Sequence, residues 1–116
     1  MILAIVGSRE FKDYTLFLLI LDKFIDTYGA PDKIVSGGAR GADKFAEMWA
    51  EDNKVPIEVF KPNWNIGKHA GLLRNTDIIN ACTHVLAFPS KNGTGTQDSI
   101  RKAKEQGKIM TIHYID

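Results

Sequence analysis

The sequence predicts an α/β fold, in which a single doubly wound parallel sheet of about five strands has helices on both faces. Two observations support this class. Short unbroken apolar runs, typical of strands buried on both faces, alternate with stretches whose apolar residues recur every three or four positions, as in amphipathic helices. Strict alternation of strands and helices favours right-handed crossovers and hence a parallel sheet. The 116 residues correspond to one domain, residues 1–116, without room for a second core.

The first strand and the first helix have clear patterns. Residues 2–6 are continuously apolar and rich in β-formers, so they predict a buried strand. In residues 14–28, apolar side chains form one stripe of an amphipathic helix. Asp13 or Thr15 can cap this helix, and Gly29 ends it.

The middle of the chain continues the alternation. Residues 33–36 predict a second strand, residues 42–51 a second helix and residues 57–60 a third strand. Residues 62–67 predict a loop, and residues 70–81 a third helix. The side chains of this helix that we expect in the core are Leu72, Leu73, Ile78 and Ile79.

The last part of the chain adds two strands and one helix. Residues 84–88 predict the fourth strand, and residues 89–95 a second glycine-bearing loop. Residues 96–106 predict a helix that Gly107 ends, and residues 109–114 the last strand.

Composition and charge exclude several classes of protein. The chain has Lys+Arg 15 and Asp+Glu 14, hence a net charge of +1. A protein dedicated to duplex DNA carries a clear basic excess, because phosphate neutralisation supplies most of its affinity. Cys82 is the only cysteine, so neither an intrachain disulfide nor a cysteine-rich zinc site is expected. No apolar run reaches the ~20 residues of a membrane span, and residues 2–6 are too short for a signal peptide, so we expect a cytoplasmic protein.

Polar and glycine-rich segments follow three of the predicted strands. They are residues 7–9, 37–43 and 93–96. In parallel α/β sheets, the ligand crevice lies at the carboxyl ends of the strands, where the winding direction reverses. We therefore expect these segments to line one ligand-binding crevice.

The segment 37–43 reads Gly-Gly-Ala-Arg-Gly-Ala-Asp. Its adjacent glycines let backbone N–H groups approach an anion, and the following helix adds a favourable dipole. Arg40 can add a bidentate contact to a phosphate or carboxylate. The alternative is a tight turn in which Asp43 only places a negative charge in the first helical turn. The segment matches neither the dinucleotide-binding fingerprint nor the P-loop.

The other candidate groups are less specific. In residues 92–96, hydroxyls between glycines can contact a phosphate or a ribose, or merely cap a helix. Trp64 either stacks on a base or covers the core. We interpret His69 as a surface histidine and expect no metal site. Catalytic candidates are few; the acidic residues placed near the crevice are Glu10, Asp43 and Asp98.

Together these motifs resemble the YspA-like branch of the SLOG superfamily, which also contains the DprA proteins and the LOG phosphoribohydrolases. The resemblance rests on residues 35–43 (VSGGARGAD), Trp64, residues 67–71 (GKHAG) and the pair Arg74-Asn75. It implies a Rossmann-like domain that binds a nucleotide-derived small molecule, such as one like ADP-ribose, NAD or a cyclic nucleotide. The ligand-binding residues then expected are Gly7, Ser8, Arg9, Ser36, Gly37, Gly38, Ala39, Arg40, Asp43, Arg74, Asn75, Gly93, Thr94, Gly95 and Thr96.

The chain departs from the LOG pattern at one position. LOG enzymes carry G-G-x-G-T-x-x-E, in which the glutamate supports N-glycosidic cleavage, whereas aligning Gly95-Thr96 places Ser99 at the glutamate position. This favours a sensor or sequestering module over a nucleotide-processing hydrolase that cuts an N-glycosidic or phosphate bond. The third alternative, a binder of single-stranded nucleic acid, is disfavoured by the near-neutral charge. We expect no cofactor and, by analogy with related domains, a homodimer.

Overall fold

The computed structural model describes residues 1–116, which form a five-stranded sheet, four α-helices and a 3₁₀ turn. The elements in chain order are β1 (Ile2–Gly7), α1 (Tyr14–Tyr28), β2 (Lys33–Ser36), α2 (Ala42–Asp52), β3 (Ile57–Val59), the 3₁₀ turn (Trp64–Ile66), α3 (Ala70–Ala81), β4 (His84–Phe88), α4 (Thr94–Glu105) and β5 (Ile109–Ile112). The longest helix, α1, has 15 residues, and no helix combines the length and apolar character that crossing a membrane requires.

The sheet is parallel throughout, with the strand order β3-β2-β1-β4-β5. The chain winds outward from β1 to β3, and α3 then carries it back across to β4, on the other side of β1. The winding direction therefore reverses between β1 and β4, where Gly7 pairs with Phe88. The predicted doubly wound α/β fold with five strands is confirmed.

Alternate residues of the strands point into two separate cores. Leu3 and Ile5 of β1 pack with α1 and α2, where Phe17 and Phe88 have ring centroids 5.3 Å apart. Ala4 belongs to the opposite core, against α3 and α4. Helices therefore cover both faces of the sheet, which explains why the strands are continuously apolar in sequence.

Most element boundaries agree with the prediction within one residue, and three features differ more. Helix α4 begins at Thr94, two residues earlier than expected, because glycine is tolerated in its first turn. Strand β5 ends at Ile112 rather than residue 114, although the N–H groups of His113 and Ile115 still donate to the Ala87 and Pro89 carbonyls. The predicted loop before α3 contains the 3₁₀ turn, where the Asn63 Oδ1 accepts a hydrogen bond from the Asn65 N–H at 3.2 Å.

The prediction that Leu72 and Leu73 lie in the core is wrong. Their side chains are 48% and 47% exposed, whereas Ile78 and Ile79 of the same helix are buried as predicted. The buried face of α3 is formed by Ala70, Asn75, Ile78 and Ile79, and Leu72 and Leu73 lie off this face.

Candidate functional site

A cleft of about 520 Å³ opens at the carboxyl ends of the strands, next to the point between β1 and β4 where the winding reverses. Its volume is within the range of about 300–1,000 Å³ that is usual for small-molecule sites. It brings together most of the residues that the sequence places at a ligand site, namely Gly7, Ser8, Arg9, Ala39, Asp43, Arg74, Asn75, Gly93, Thr94, Gly95 and Thr96.

The segment after β1 is fixed by hydrogen bonds of Ser8. Its N–H donates to the Phe88 carbonyl at 2.9 Å, and its Oγ accepts from the Glu10 N–H at 3.0 Å. The Ser8 carbonyl accepts from the Ala42 N–H at 3.3 Å, so the start of α2 packs on this turn. Arg9 consequently extends at the exposed rim of the cleft.

Gly38 and Gly41 lie where a side chain would collide with other parts of the protein. A Cβ at Gly38 would lie 2.8 Å from the Val59 Cγ1. Gly41 has a φ of +78°, and a Cβ there would collide with the Ser8 carbonyl oxygen. Both glycines thus serve a close-packed turn, which is the alternative that the sequence left open for this segment.

Four expected ligand contacts, Ser36, Gly37, Gly38 and Arg40, do not line the cleft. Ser36 is fully buried at the end of β2, and its Oγ has no hydrogen-bond partner. Arg40 instead forms an exposed ion pair, with its Nη2 3.0 Å from the Glu10 Oε1. Arg40 therefore points to the surface beside the cleft, and its contact with a ligand stays a prediction.

The neighbouring residues Arg74 and Asn75 connect α3 to the loop after β2 and to the first turn of α4. The Arg74 Nη1 donates to the Gly37 carbonyl at 2.7 Å, and its Nε donates to the Asn75 Oδ1 at 3.1 Å. The Asn75 Nδ2 donates to the Gly95 carbonyl at 3.2 Å and to the Asp98 Oδ2 at 3.3 Å. These hydrogen bonds hold the loop after β2 and the first turns of α4 against one helix.

The start of α4 provides free backbone donors at the cleft. No side chain caps this helix, and the N–H groups of Thr94, Gly95 and Thr96 donate to no other group of the chain. A Cβ at Gly95 would meet nothing within 4 Å. Ser99, one turn further along, also lines the cleft and is 2% exposed. The first turn of α4 can therefore accept an anion closely.

Asp43 is the buried carboxyl group of the cleft. It is 6% exposed, and its Oδ2 accepts a hydrogen bond from the Ala39 N–H at 3.1 Å. Burial raises the pKa of Asp43 to about 6, although the Ala39 N–H and the nearby Arg74 guanidinium act in the opposite direction. Asp43 can therefore exchange a proton near neutral pH.

Asp98 and Glu10 are less suited to proton transfer. Burial opposes ionisation of Asp98, but hydrogen bonds from Lys102, Arg101 and Asn75 outweigh burial and lower its pKa. Its Oδ2 lies 2.8 Å from the Lys102 Nζ. Glu10 lines the cleft but is exposed and paired with Arg40.

Sequence reasoning missed three lining residues in and just before α3. Lys68 precedes this helix, and Gly71 and Leu72, of which the sequence places Leu72 in the core, lie in its first turn; all three line the cleft. Their position at the start of a helix that follows a strand could have indicated them, since that is where the crevice of a parallel sheet lies. No three His, Cys, Asp or Glu side chains are grouped so that they could hold a metal ion.

Asp43→Asn should raise the free energy of unfolding above about pH 6. The folded state keeps the Asp43 proton up to about pH 6, whereas an ordinary aspartate releases it near 3.8. Because the folded state binds more protons between these values, wild-type stability falls as the pH rises from about 4 to about 6. A pKa difference of about two corresponds to roughly 3 kcal/mol, and asparagine keeps the acceptor without titrating.

Urea unfolding of both proteins between about pH 4 and pH 8 measures this effect. The advantage of Asp43→Asn should grow up to about pH 6 and then remain constant. An advantage that is the same at every pH would contradict the assignment of a raised pKa to Asp43.

A parallel sheet with a polar cleft at its switch point defines the class of Rossmann-like α/β domains. A family model for the YspA, cpYpsA-related SLOG family matches residues 1–67, more than half of the chain. The chain belongs to this SLOG family, as its motifs predict.

Two known proteins are similar over nearly the whole chain. The Gene 61 protein of Mycobacterium phage D29 is 38% identical over 124 residues, which cover 97% of this chain and 94% of that protein. DNA processing protein A (DprA) from Streptococcus pneumoniae has a similar structure, with a TM-score of 0.76 and 20% sequence identity. That match covers 95% of this chain and 49% of the DprA chain, so this chain spans about half of the DprA structure. The similarity to DprA establishes the fold.

Proposed function

We propose that the protein binds a nucleotide or a nucleotide-derived small molecule in the cleft and acts as a sensor or sequestering module. One observation carries the proposal. The free N–H groups at the start of α4 open into the same cleft as the cationic side chains of Arg9, Lys68 and Arg74. A phosphate group uses both kinds of donor, because it is an anion with several acceptor oxygens.

The family and the fold support a nucleotide-related or DNA-processing role. Of the two, the small-molecule role fits better, since the chain has a net charge of +1 and the cleft is only about 520 Å³. The proposal includes two further properties. The protein is cytoplasmic, in keeping with its single buried cysteine, and it forms a homodimer.

A nucleotide-processing hydrolase is the second candidate, and Asp43 favours it. A buried carboxyl group with a pKa of about 6 in a cleft has the properties of a general acid or base. Against this candidate, Ser99 occupies the position where LOG enzymes carry their glutamate, and a serine hydroxyl does not titrate near neutral pH.

Calorimetric titration with AMP tests the binding proposal. Arg9→Ala should weaken AMP binding about 10- to 150-fold, because a hydrogen bond to a charged group contributes about 1.5–3 kcal/mol. Arg40→Ala is the matched control, since it removes the same charge from an exposed side chain that does not itself line the cleft. We expect it to change the affinity less than about threefold.

Three results would contradict the proposal. Wild-type protein that does not bind AMP would exclude a mononucleotide site, and equal losses in Arg9→Ala and Arg40→Ala would exclude the cleft as the place of binding. Tighter binding of an oligodeoxynucleotide than of AMP would favour the DNA-processing alternative.

A further inference from the structure

Trp64 is an exposed aromatic side chain on a hydrogen-bonded turn. Its side chain is 59% exposed and lines the cleft. The 3₁₀ turn that carries it is capped by the Asn63 side chain, and its carbonyl accepts a hydrogen bond from the Gly67 N–H at 3.2 Å. This exposure excludes the interpretation that Trp64 covers the core, and the place of Trp64 in the cleft leaves its ring open to a ligand.

The start of α3 supports the indole ring from one side. A Cβ at Gly71 would lie 3.4 Å from the Trp64 Cη2, so the six-membered ring lies close to the helix backbone. Leu72, which is 48% exposed, also lines the cleft here. Trp64, Gly71 and Leu72 together form an apolar part of a cleft whose other lining residues are mostly polar or glycine; we refer to it as the indole wall.

The cleft therefore offers two different surfaces to one ligand. The first turn of α4 offers backbone N–H donors, which suit an anion, while the indole wall offers a flat aromatic surface. A sugar phosphate or inorganic phosphate uses only the donors. A nucleotide uses both surfaces, because it carries a phosphate at one end and a planar base at the other.

We propose that Trp64 is the platform on which the base of the bound ligand stacks, so that the ligand is a nucleotide with an intact base rather than a sugar phosphate. This inference rests on the proposed function of the cleft. Stacking on an aromatic side chain is available to every nucleobase, since each has a π-face. Trp64 accordingly distinguishes ligands that carry a base from those that lack one.

Titration with AMP and with ribose 5-phosphate tests this inference, because the two differ by the base alone. Trp64→Ala should weaken AMP binding about 5- to 150-fold and leave ribose 5-phosphate binding within about twofold. Trp64→Phe, which keeps an aromatic face, should restore most of the lost affinity for AMP. Leu73→Ala is the control, since Leu73 is a half-exposed neighbour that does not line the cleft.

The outcomes separate this inference from the proposal on which it rests. If wild-type protein binds ribose 5-phosphate as tightly as AMP, or if Trp64→Ala binds AMP normally, the stacking role is wrong while the phosphate site stands. If Trp64→Ala loses both ligands equally, Trp64 supports the fold of the cleft and no base stacks on it. If wild-type protein binds neither ligand, the proposed function fails together with the inference.

Discussion

AMP, NAD and ADP-ribose should remain intact during long incubation with the protein. Aligning Gly95-Thr96 with the LOG pattern places Ser99 at the glutamate that supports N-glycosidic cleavage, and hydrogen bonds from Lys102 and Arg101 lower the pKa of Asp98. A positioned general acid or base contributes about 10²- to 10⁴-fold to a rate, so its loss leaves a rate close to background. Chromatography of the incubated mixtures detects free base or ribose phosphate directly.

Release of a free base over many turnovers would contradict a pure binding role. Asp43 is then the carboxyl group to examine, because it lines the cleft and its pKa is raised to about 6 by burial. Asp43→Asn should abolish such turnover, whereas Glu10→Ala, at the exposed rim, should leave it nearly unchanged. Turnover that survives Asp43→Asn would exclude Asp43 as the acid or base.

Gly41→Ala should destabilise the protein by about 2–6 kcal/mol. Gly41 adopts φ +78° and ψ −131°, a backbone region that costs other residues about 1–3 kcal/mol. The added Cβ also collides with the Ser8 carbonyl oxygen, and overpacking of this kind costs about 1–3 kcal/mol more. The sum is a large share of the roughly 5–15 kcal/mol that stabilises a typical domain.

Gly29→Ala is the matched control for this effect. Gly29 also has a positive φ, of +93°, but a Cβ there meets nothing within 4 Å. Gly29→Ala should therefore lower the free energy of unfolding only by the backbone strain, about 1–3 kcal/mol. Urea unfolding measures both variants, and equal losses at the two positions would show that the contact with Ser8 is unimportant.

The fold could be predicted because its main determinant is local. A strand covered on both faces is apolar at every position, as in β1, whereas a helix that is covered on one side shows a stripe, as in α1. The approximate place of the site followed from the same pattern, because a parallel sheet brings the ends of its strands to one edge.

The directions of individual side chains could not be predicted. Ala39 and Arg40 are neighbours, yet the first lines the cleft and the second pairs with Glu10, which is 30 residues away in the chain. The sequence left two interpretations of Trp64 open, a core residue or a contact to a base. The choice could not be made from the sequence, because the exposure of Trp64 depends on the 3₁₀ turn and on the contact with Gly71. These features arise from contacts between distant segments, which residue patterns do not encode.

The hydrogen bonds of Arg74 and Asn75 have a consequence for how a sensor of this kind would report its ligand. Adjacent side chains of one helix hold both the loop after β2 and the first turn of α4. The distance between these two walls of the cleft is therefore set before any ligand binds. Preorganisation of this kind lowers the entropic cost of binding, and association does not have to wait for a loop to close. Occupancy then changes the chemical surface at the mouth of the cleft while the backbone keeps its shape. A downstream partner would bind to the exposed part of the ligand itself.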